Sequence, residues 1–373
     1  MILECVSLKK VDEDTHDVIM NAVFSDERLP VEHFKSCLAT RKRQEDVFMF
    51  WAMLTSSKIS EGLVDILKLD METGSAIKFG TMTDIVEKPG FQLGSAACYL
   101  GPYVYISGGG PDFGKVNWIR QIWRFDVSKP YAPWETVGDL IEFRRNHTMV
   151  ILNWKLYIFG GFGKFRTKNV QMHSLDLNSG DWEQLAPMPV HEFNPPATTA
   201  NTCIYYISSH WTLHCFSLET KDWTHLDFLT PPEPAHPEIR PLTLFPFKAG
   251  ESRCFAIATL FRDTLKIQLL RAHAPSLTLQ TFREVADMPI YFTFANFVTL
   301  NGKLVLFFTS QKSDDPFSGQ NESSAAFLNA WGFDPMTNQY SCFSDIHNVR
   351  QALSIAALPY FPDVFSLECK ELL

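Results

Sequence analysis

The chain has 373 residues, of which 46% are hydrophobic and 20% are charged, and its formal net charge is -9. This composition is typical of a globular protein with a large core and argues against a disordered chain. The negative charge argues against a nucleic-acid partner, because phosphate binding requires clustered lysine and arginine. No apolar stretch reaches the ~20 residues of a membrane span, and residues 1–30 lack a signal peptide, so the sequence predicts a cytoplasmic protein without membrane contact.

Residues 1–46 are predicted to be a helical segment followed by a linker. The stretches 16–24 and 31–38 are amphipathic, and Pro30 lies where the start of a helix tolerates proline. The basic run 41–43 is next to Glu45 and Asp46, which is typical of a solvated linker. The predicted organisation is therefore a helical segment over 1–46 and a single β domain over 47–373.

Six short apolar runs, rich in aromatic and β-branched residues, recur along the β domain. They lie at residues 47–54, 103–107, 156–159, 204–207, 254–260 and 304–308. Each run is short enough to be a buried strand. Their spacing of about 50 residues predicts one four-stranded sheet per repeat.

A second pattern follows these runs, in which a strand leads into an acidic turn and then into an aromatic residue. The clearest copies are residues 175–182 (LDLNSGDW), 216–223 (FSLETKDW) and 333–340 (FDPMTNQY), with looser copies at 125–134 and 69–74. Asp, Asn and Ser bond their own backbone in turns, and Gly accepts a positive φ, so each copy predicts two antiparallel strands. We expect the closing aromatic residues Trp134, Trp182 and Trp223 to fill the space between sheets.

Residues 105–109 (YISGG) and 157–161 (YIFGG), each followed by the acidic turn and a tryptophan, resemble kelch repeats. The resemblance implies an all-β, six-bladed kelch-type β-propeller over about residues 47–373, in which the Gly pair ends a strand where a side chain would not fit. In the fourth repeat Ser208 and Ser209 replace the Gly pair, and the first and sixth repeats also lack it. The fifth retains only the strand pattern, so the blade count depends on spacing.

The two ends of the chain are predicted to close this propeller. Residues 47–54, 63–69 and 75–80 supply three strands before the second sheet begins near Gly94, so the first sheet lacks its innermost strand. Residues 352–358 are predicted to supply it, because a propeller removes its exposed edges by pairing strands from both ends of the chain in one blade.

Residues with reactive side chains are scattered. His147, His173, His214 and His225 lie singly on or beside predicted strands, as structural histidines do. The eight cysteines form no CxxC pair, so they predict reduced thiols rather than zinc ligands or disulfides. No nucleophile elbow, phosphate loop or zinc-protease motif occurs. The sequence therefore predicts no enzyme activity, no metal and no cofactor.

The loops after the Gly pairs and the residues before each first strand are expected at one end of the propeller. They combine aromatic with cationic side chains, which is the composition of protein-binding hot spots. Arginine pairs with carboxylate or phosphate, which suits an acidic or phosphorylated peptide. An alternative is that Phe113, Phe162 and Phe165 fold inward and seal the loops. The predicted partner-binding residues are Phe113, Lys115, Arg144, Arg145, Asn146, Phe162, Lys164, Phe165, Arg166, Asn194, His210, Trp211, Phe294 and Arg350.

The chain is also loosely similar to the C-terminal half of BTB-BACK-kelch proteins, with residues 37–44 resembling the linker before the propeller. This resemblance implies a protein-binding adaptor, with components of a cullin-based ubiquitin ligase among its partners. A cytoskeletal scaffold that binds actin is the alternative, and a kelch-fold enzyme with a bound metal is the less favoured one. The partner, the oligomeric state, the bounds of the fifth blade and the nature of residues 1–46, a truncated BACK domain or a complete N-terminus, stay open.

Overall fold

The computed structural model describes the β-strands and most of the connections between residues 94 and 226. The described ranges are 45–51, 54–55, 58–59, 65–70, 75–81, 94–100, 103–110, 118–126, 133–226, 240–249, 252–261, 264–273, 276–285, 292–300, 303–310, 327–334, 339–342 and 352–359. The helices predicted at 16–24 and 31–38 lie outside these ranges. Within them, no helix is long and apolar enough to cross a membrane.

The described strands form six four-stranded sheets and one small hairpin. Sheet 1 contains β1 (Glu45–Trp51), β4 (Asp65–Asp70), β5 (Ser75–Thr81) and β26 (Ala352–Pro359). The hairpin pairs β2 (Leu54–Thr55) with β3 (Lys58–Ile59). Sheet 2 contains β6 (Ala96–Leu100), β7 (Tyr103–Ser107), β8 (Gln121–Asp126) and β9 (Glu135–Asp139). Sheet 3 contains β10 (Thr148–Leu152), β11 (Lys155–Phe159), β12 (Met172–Asp176) and β13 (Trp182–Leu185).

The remaining three sheets follow the same order along the chain. Sheet 4 contains β14 (Ala197–Ala200), β15 (Cys203–Ile207), β16 (Leu213–Ser217) and β17 (Asp222–Leu226). Sheet 5 contains β18 (Arg240–Ala249), β19 (Ser252–Phe261), β20 (Thr264–His273) and β21 (Ser276–Val285). Sheet 6 contains β22 (Phe292–Leu300), β23 (Lys303–Ser310), β24 (Phe327–Asp334) and β25 (Gln339–Cys342).

The sequence-based prediction of an all-β chain of four-stranded sheets is confirmed. The six apolar runs are β1, β7, β11, β15, β19 and β23, each the second strand of its sheet. In sheet 1 the strand order is β26-β1-β4-β5, so the C-terminal strand lies beside β1 as predicted. Strand β1 begins at Glu45, slightly before the predicted domain boundary at residue 47. The closed six-bladed ring stays a prediction.

Apolar side chains from consecutive sheets form shared cores. One cluster joins sheets 2 and 3 through Tyr105 and Ile158, a second joins sheets 3 and 4 through Phe159 and Tyr206, and a third joins sheets 4 and 5. The central strands β7, β11 and β15 are buried on both faces for this reason. Sheet-on-sheet burial of this kind accounts for their nearly unbroken apolar sequences.

The acidic turns have the predicted local geometry. Asp176 Oδ1 accepts hydrogen bonds from the backbone N–H groups of Asn178 (2.9 Å) and Ser179 (3.2 Å), and these bonds lower the pKa of the Asp176 carboxyl. Trp223, which follows the next turn, packs its ring 6.3 Å from that of Phe159 and donates from Nε1 to the carbonyl of Ala186 at 3.0 Å. The expectation that this tryptophan fills the space between two sheets is confirmed.

Candidate functional site

The loops at one end of sheets 3 and 4 form the candidate site, and we call this region the loop end. It consists of residues 140–147, 160–171, 190–196 and 208–212. Strands β10 and β11 are antiparallel, with Thr148 opposite Phe159, so the residues before β10 and those after β11 meet at the same end of sheet 3. The same holds in sheet 4, where Ala197 lies opposite Tyr206. The antiparallel pairing therefore brings these segments to one end of the sheets, where the sequence analysis expected them.

The Gly pair of sheet 3 allows the loop end to close tightly. Gly161 has φ 80° and donates its backbone N–H to the carbonyl of Glu192 at 2.8 Å. A Cβ atom on Gly161 would lie 2.4 Å from the carbonyl oxygen of Arg145. Only glycine fits such a close approach of two backbones. The implication that a side chain would not fit after β11 is confirmed.

Two asparagines connect successive sheets through their backbones. Asn146 donates its N–H to the carbonyl of Gly94 at 2.7 Å, and Asn194 donates its N–H to the carbonyl of Asn146 at 2.6 Å. Both asparagines are exposed and have positive φ values of 50° and 49°. Asparagine adopts this left-handed conformation more readily than most residues. The two predicted site residues thus occupy equivalent, linked and solvent-accessible positions.

Arg144 lies beneath the loops rather than on their surface. Its side chain is 1% exposed, and its guanidinium donates to the carbonyls of Gly160 (3.2 Å) and Gln171 (2.8 Å). It also lies 3.1 Å from Nδ1 of His173 and 3.9 Å from the carboxylate of Glu142. Burial lowers the pKa of Arg144 to about 10. A buried charge needs such partners, so Arg144 holds the loop 160–171 in place.

Arg145 connects the loop end with the neighbouring loop of sheet 2. It is 7% exposed, and its guanidinium lies 5.1 Å from the centre of the Trp118 ring and donates to the carbonyl of Gly110 at 3.4 Å. Its backbone N–H donates to the carbonyl of Phe162 at 3.0 Å. This predicted site residue therefore stiffens the loop end by a cation–π contact and hydrogen bonds.

Phe165 projects into solvent at the tip of the loop. It lies in the short 3₁₀ segment Lys164–Arg166, has φ 61°, and its side chain is 82% exposed. Arg166 also has a positive φ, of 58°. The hydroxyl of Thr167 fixes the turn by donating to the carbonyl of Lys164 at 2.9 Å. Phe165 does not seal the loop, and its backbone is held in a conformation that costs a bulky residue ~1 kcal/mol or more.

Phe162 folds inward, as expected if the loop phenylalanines seal the loops. It is partly buried, and its ring lies 5.7 Å from that of Phe193 and 5.4 Å from that of His191. Phe193 is itself exposed at the loop end. Sequence reasoning missed Phe193 and His191, although the adjacency of Phe193 to Asn194 could have identified it.

The other predicted site residues differ in how the structure places them. His210 is exposed, whereas Trp211 is 7% exposed and belongs to the core shared by sheets 4 and 5. Phe294 lies in β22, but its side chain is outside the described part of the chain, as are Phe113, Lys115 and Arg350. Contact with a partner stays a prediction for all fourteen residues.

The two ends of sheets 3 and 4 carry opposite charge. Among the described residues, the loop end has five cationic and two acidic side chains, namely Arg144, Arg145, Lys164, Arg166, Lys168, Glu142 and Glu192. We call the hairpin turns at the opposite end, residues 153–154, 177–181, 201–202 and 218–221, the turn end. It and the residues within two positions of it have two cationic and five acidic side chains, namely Lys155, Lys221, Asp176, Asp181, Glu183, Glu219 and Asp222. Counted in the same way, the loop end adds only the acidic Asp139. The loop end is thus locally positive in a chain of net charge -9.

The described residues also include free thiols and histidines, but these do not cluster as metal ligands do. Over those ranges, no group of three or more His, Cys, Asp and Glu side chains could hold a metal ion. Cys98, Cys203, Cys215 and Cys254 are free thiols, and burial raises the pKa of Cys98 well above its usual value.

The kelch motif model matches residues 144–189, which contain sheet 3 and the loop-end segments 144–147 and 160–171. Kelch-like protein 35 of Mus musculus is 32% identical over 109 residues, or 29% of this chain and 17% of that protein. Kelch-like protein 6 of Homo sapiens is 32% identical over 105 residues, or 28% and 15%. The tRNA wybutosine-synthesizing protein 2/3/4 of Arabidopsis thaliana is 31% identical over 101 residues, or 26% and 10%. The chain covers less than a fifth of each of these relatives.

Proposed function

Because this chain is a kelch-repeat protein, we propose that its six sheets are the blades of one closed propeller whose loop end binds a protein partner. Contacts between first strands support the ring, since β10 contacts both β6 and β14. The C-terminal strand β26 contacts both β6 and β22 while lying beside β1. These contacts are what a circular arrangement of blades requires.

The exposed Phe165 between two cations is the observation that carries the binding proposal. An aromatic side chain that is 82% exposed contributes nothing to the core, and its left-handed backbone is held by the Thr167 hydroxyl. Aromatic residues next to arginine dominate the energetics of protein interfaces. Lys164 and Arg166 favour a partner segment that carries carboxylate or phosphate groups.

The loops beneath Phe165 are fixed before any partner arrives. Arg144 bonds two loop carbonyls from below, and Arg145 stacks on Trp118 of the neighbouring loop. The side chains of Asn146 and Asn194 are exposed beside this platform. A preordered surface loses little conformational entropy on binding, which strengthens the association.

Phe165→Gly tests the loop end directly. Glycine suits φ 61°, so this variant removes the ring while favouring the native turn. We expect a labelled hexaglutamate peptide to bind the wild type and to bind Phe165→Gly at least about tenfold more weakly. Asn201→Gly is the matched control, because Asn201 is exposed with φ 52° and lies at the opposite end of the sheets. Equal affinity for both variants would refute the proposed surface.

A place in a cullin-type ubiquitin ligase is a narrower hypothesis. It is supported by the loose resemblance to BTB-BACK-kelch proteins and by two relatives named Kelch-like proteins. Affinity purification from cells should then recover a cullin together with a partner that Phe165→Gly loses. Recovery of the same cullin-free set of proteins with both forms would contradict this hypothesis.

A further inference from the structure

Trp154 is a second exposed aromatic residue in a strained turn, at the turn end of sheet 3. Asn153 and Trp154 connect β10 to β11, and their φ values are 52° and 60°. Two positive φ angles define a type I′ hairpin turn, which strongly prefers glycine at its second position. Tryptophan is a poor residue for this conformation, because its Cβ crowds the backbone.

Neither the turn nor the core explains the tryptophan. Its side chain is 56% exposed, so it adds little to the packing between sheets. In the sequence, Asn301-Gly302 separates β22 from β23, so the favourable dipeptide occurs elsewhere in this chain. A strained, exposed aromatic residue points to contact with something outside the chain.

A cleft lies beside this turn, between sheets 3 and 4. It has a volume of about 210 Å³ and is lined by Asn153 and Lys155 next to Trp154. Its apolar surface is formed by Tyr157, Leu185, Phe216 and Leu218. Glu183 and Lys221 line it as well. The cleft has room for one apolar side chain, and it is lined by both chain neighbours of the exposed Trp154, Asn153 and Lys155.

The charges around the cleft select the kind of segment that can enter it. Both lysines are paired, because Lys221 contacts Glu183 and Lys155 lies 3.7 Å from Glu183 and 4.0 Å from Asp176. The adjacent turns add the exposed carboxylates of Asp181, Glu219 and Asp222. The surroundings are therefore negative, and an indole face attracts cations.

We propose that Trp154 and this cleft form a second protein-binding surface, which takes a segment with an aliphatic side chain flanked by lysine or arginine. The aliphatic group enters the cleft, while the flanking cations contact the indole ring and the carboxylates of the turn end. This surface is independent of the loop end, which has the opposite charge. The chain would then connect an acidic partner at one end with a basic partner at the other.

A pair of labelled peptides tests the proposal by fluorescence anisotropy. The probe is Gly-Arg-Arg-Leu-Arg-Arg-Gly, and its charge-reversed counterpart has glutamate in place of each arginine. We expect the arginine peptide to bind the wild type and to bind Trp154→Gly at least about tenfold more weakly. Asn201→Gly, the matched control at the same end, should keep the wild-type affinity. Undiminished binding to Trp154→Gly would overturn the proposal.

Thermal unfolding separates this role from a structural one. Glycine suits φ 60°, so Trp154→Gly should unfold at the wild-type temperature or above it. A markedly lower unfolding temperature would show that Trp154 serves the fold instead. The hexaglutamate test depends on Phe165, so the two proposals can fail separately.

A second copy of this chain is the competing occupant of the cleft. Its segment Lys164–Arg166 also has an apolar side chain, Phe165, between two cations. Sedimentation velocity of the wild type over a range of concentrations distinguishes this case. Self-association that is lost in both Trp154→Gly and Phe165→Gly would overturn the proposal of a foreign partner. A monomer at all concentrations, together with arginine-peptide binding, would support it.

Discussion

In the loop end, sheets 3 and 4 carry side chains of opposite charge at the same position before their first strands. Arg144 precedes β10 and Glu192 precedes β14, and both side chains are buried. Their backbone carbonyls are equivalent, since Gly109 donates to that of Arg144 at 2.9 Å and Gly161 donates to that of Glu192 at 2.8 Å. The repeat thus preserves a backbone contact between neighbouring sheets, whereas the charge of the side chain at this position differs between the two sheets.

The loops of the two sheets differ in a way that matches these charges. In sheet 3, Arg144 donates to carbonyls of the long loop 160–171. In sheet 4, the carboxylate of Glu192 accepts from the backbone N–H of Ser209 (2.9 Å) and from its hydroxyl (2.8 Å). A buried charge is stable only where groups of opposite polarity face it. The Ser208-Ser209 pair therefore has its own role in sheet 4, because Ser209 binds the Glu192 carboxylate where sheet 3 has a glycine.

Gly161→Ala should produce the largest loss of stability. The new Cβ would lie 2.4 Å from the carbonyl oxygen of Arg145 and 2.8 Å from the backbone nitrogen of His147, and neither atom can move independently. Steric overlap and the positive φ together should lower the free energy of unfolding by about 4 kcal/mol. Urea denaturation measures this loss.

Gly180→Ala is the matched control for that substitution. Gly180 also has φ 80°, but a Cβ there would meet nothing within 4 Å. Only the conformational strain remains, so the expected loss is about 1 kcal/mol. Similar losses for the two variants would show that the close approach between sheets 3 and 4 is not what requires glycine.

Arg144→Met should have the next largest effect. Methionine fills much of the space but leaves the carbonyls of Gly160 and Gln171 without their donor, at an expected loss of about 3 kcal/mol. Glu192→Gln retains an acceptor oxygen for Ser209 and should lose about 1 kcal/mol. Urea denaturation of both variants checks the difference. Equal losses would contradict the expectation that removing the donor for two loop carbonyls costs more than replacing one acceptor oxygen by another.

The strands and turns could be predicted from the sequence because their causes are local. The alternation and spacing of apolar runs specify β7 and β11, and the side chain of Asp176 bonds the turn that follows it. The burial of Arg144 depends on carbonyls of Gly160 and Gln171, which only the folded loops bring near. The sequence could therefore predict which residues lie at the loop end, but not which of their side chains are exposed and which are buried beneath the loops.

The stability of sheet 3 should also depend on pH through His147. Its Nε2 lies 2.8 Å from the hydroxyl of Ser107, and burial, together with the charge of Arg144, lowers the pKa of His147 to about 3. The unfolded histidine binds a proton below about pH 6.5, whereas the folded one does not until about pH 3. The unfolded state therefore binds more protons between these values, and stability falls as the pH falls through that window.

The expected slope from His147 is at most about 1.4 kcal/mol per pH unit, or about 2 kcal/mol between pH 6.5 and 5. His147→Asn should have a shallower pH dependence than the wild type, whatever its stability at pH 7. His225→Asn is the control, because His225 is exposed in sheet 4. Urea denaturation at several pH values compares the slopes. Parallel profiles for the wild type and His147→Asn would contradict the assignment.

Trp223→Phe should have a smaller effect than the preceding variants and should weaken the junction between sheets 3 and 4. Phenylalanine keeps most of the ring contact with Phe159 but loses the hydrogen bond to the carbonyl of Ala186, at about 1 kcal/mol. Trp182 holds the equivalent position in sheet 3, where its ring meets that of His173 edge-on at 6.4 Å. Trp182→Phe should lower the free energy of unfolding by about half as much, because this substitution removes ring area but no hydrogen bond to a neighbouring sheet. If denaturation shows equal losses, apolar area alone rather than the indole hydrogen bond joins the two sheets.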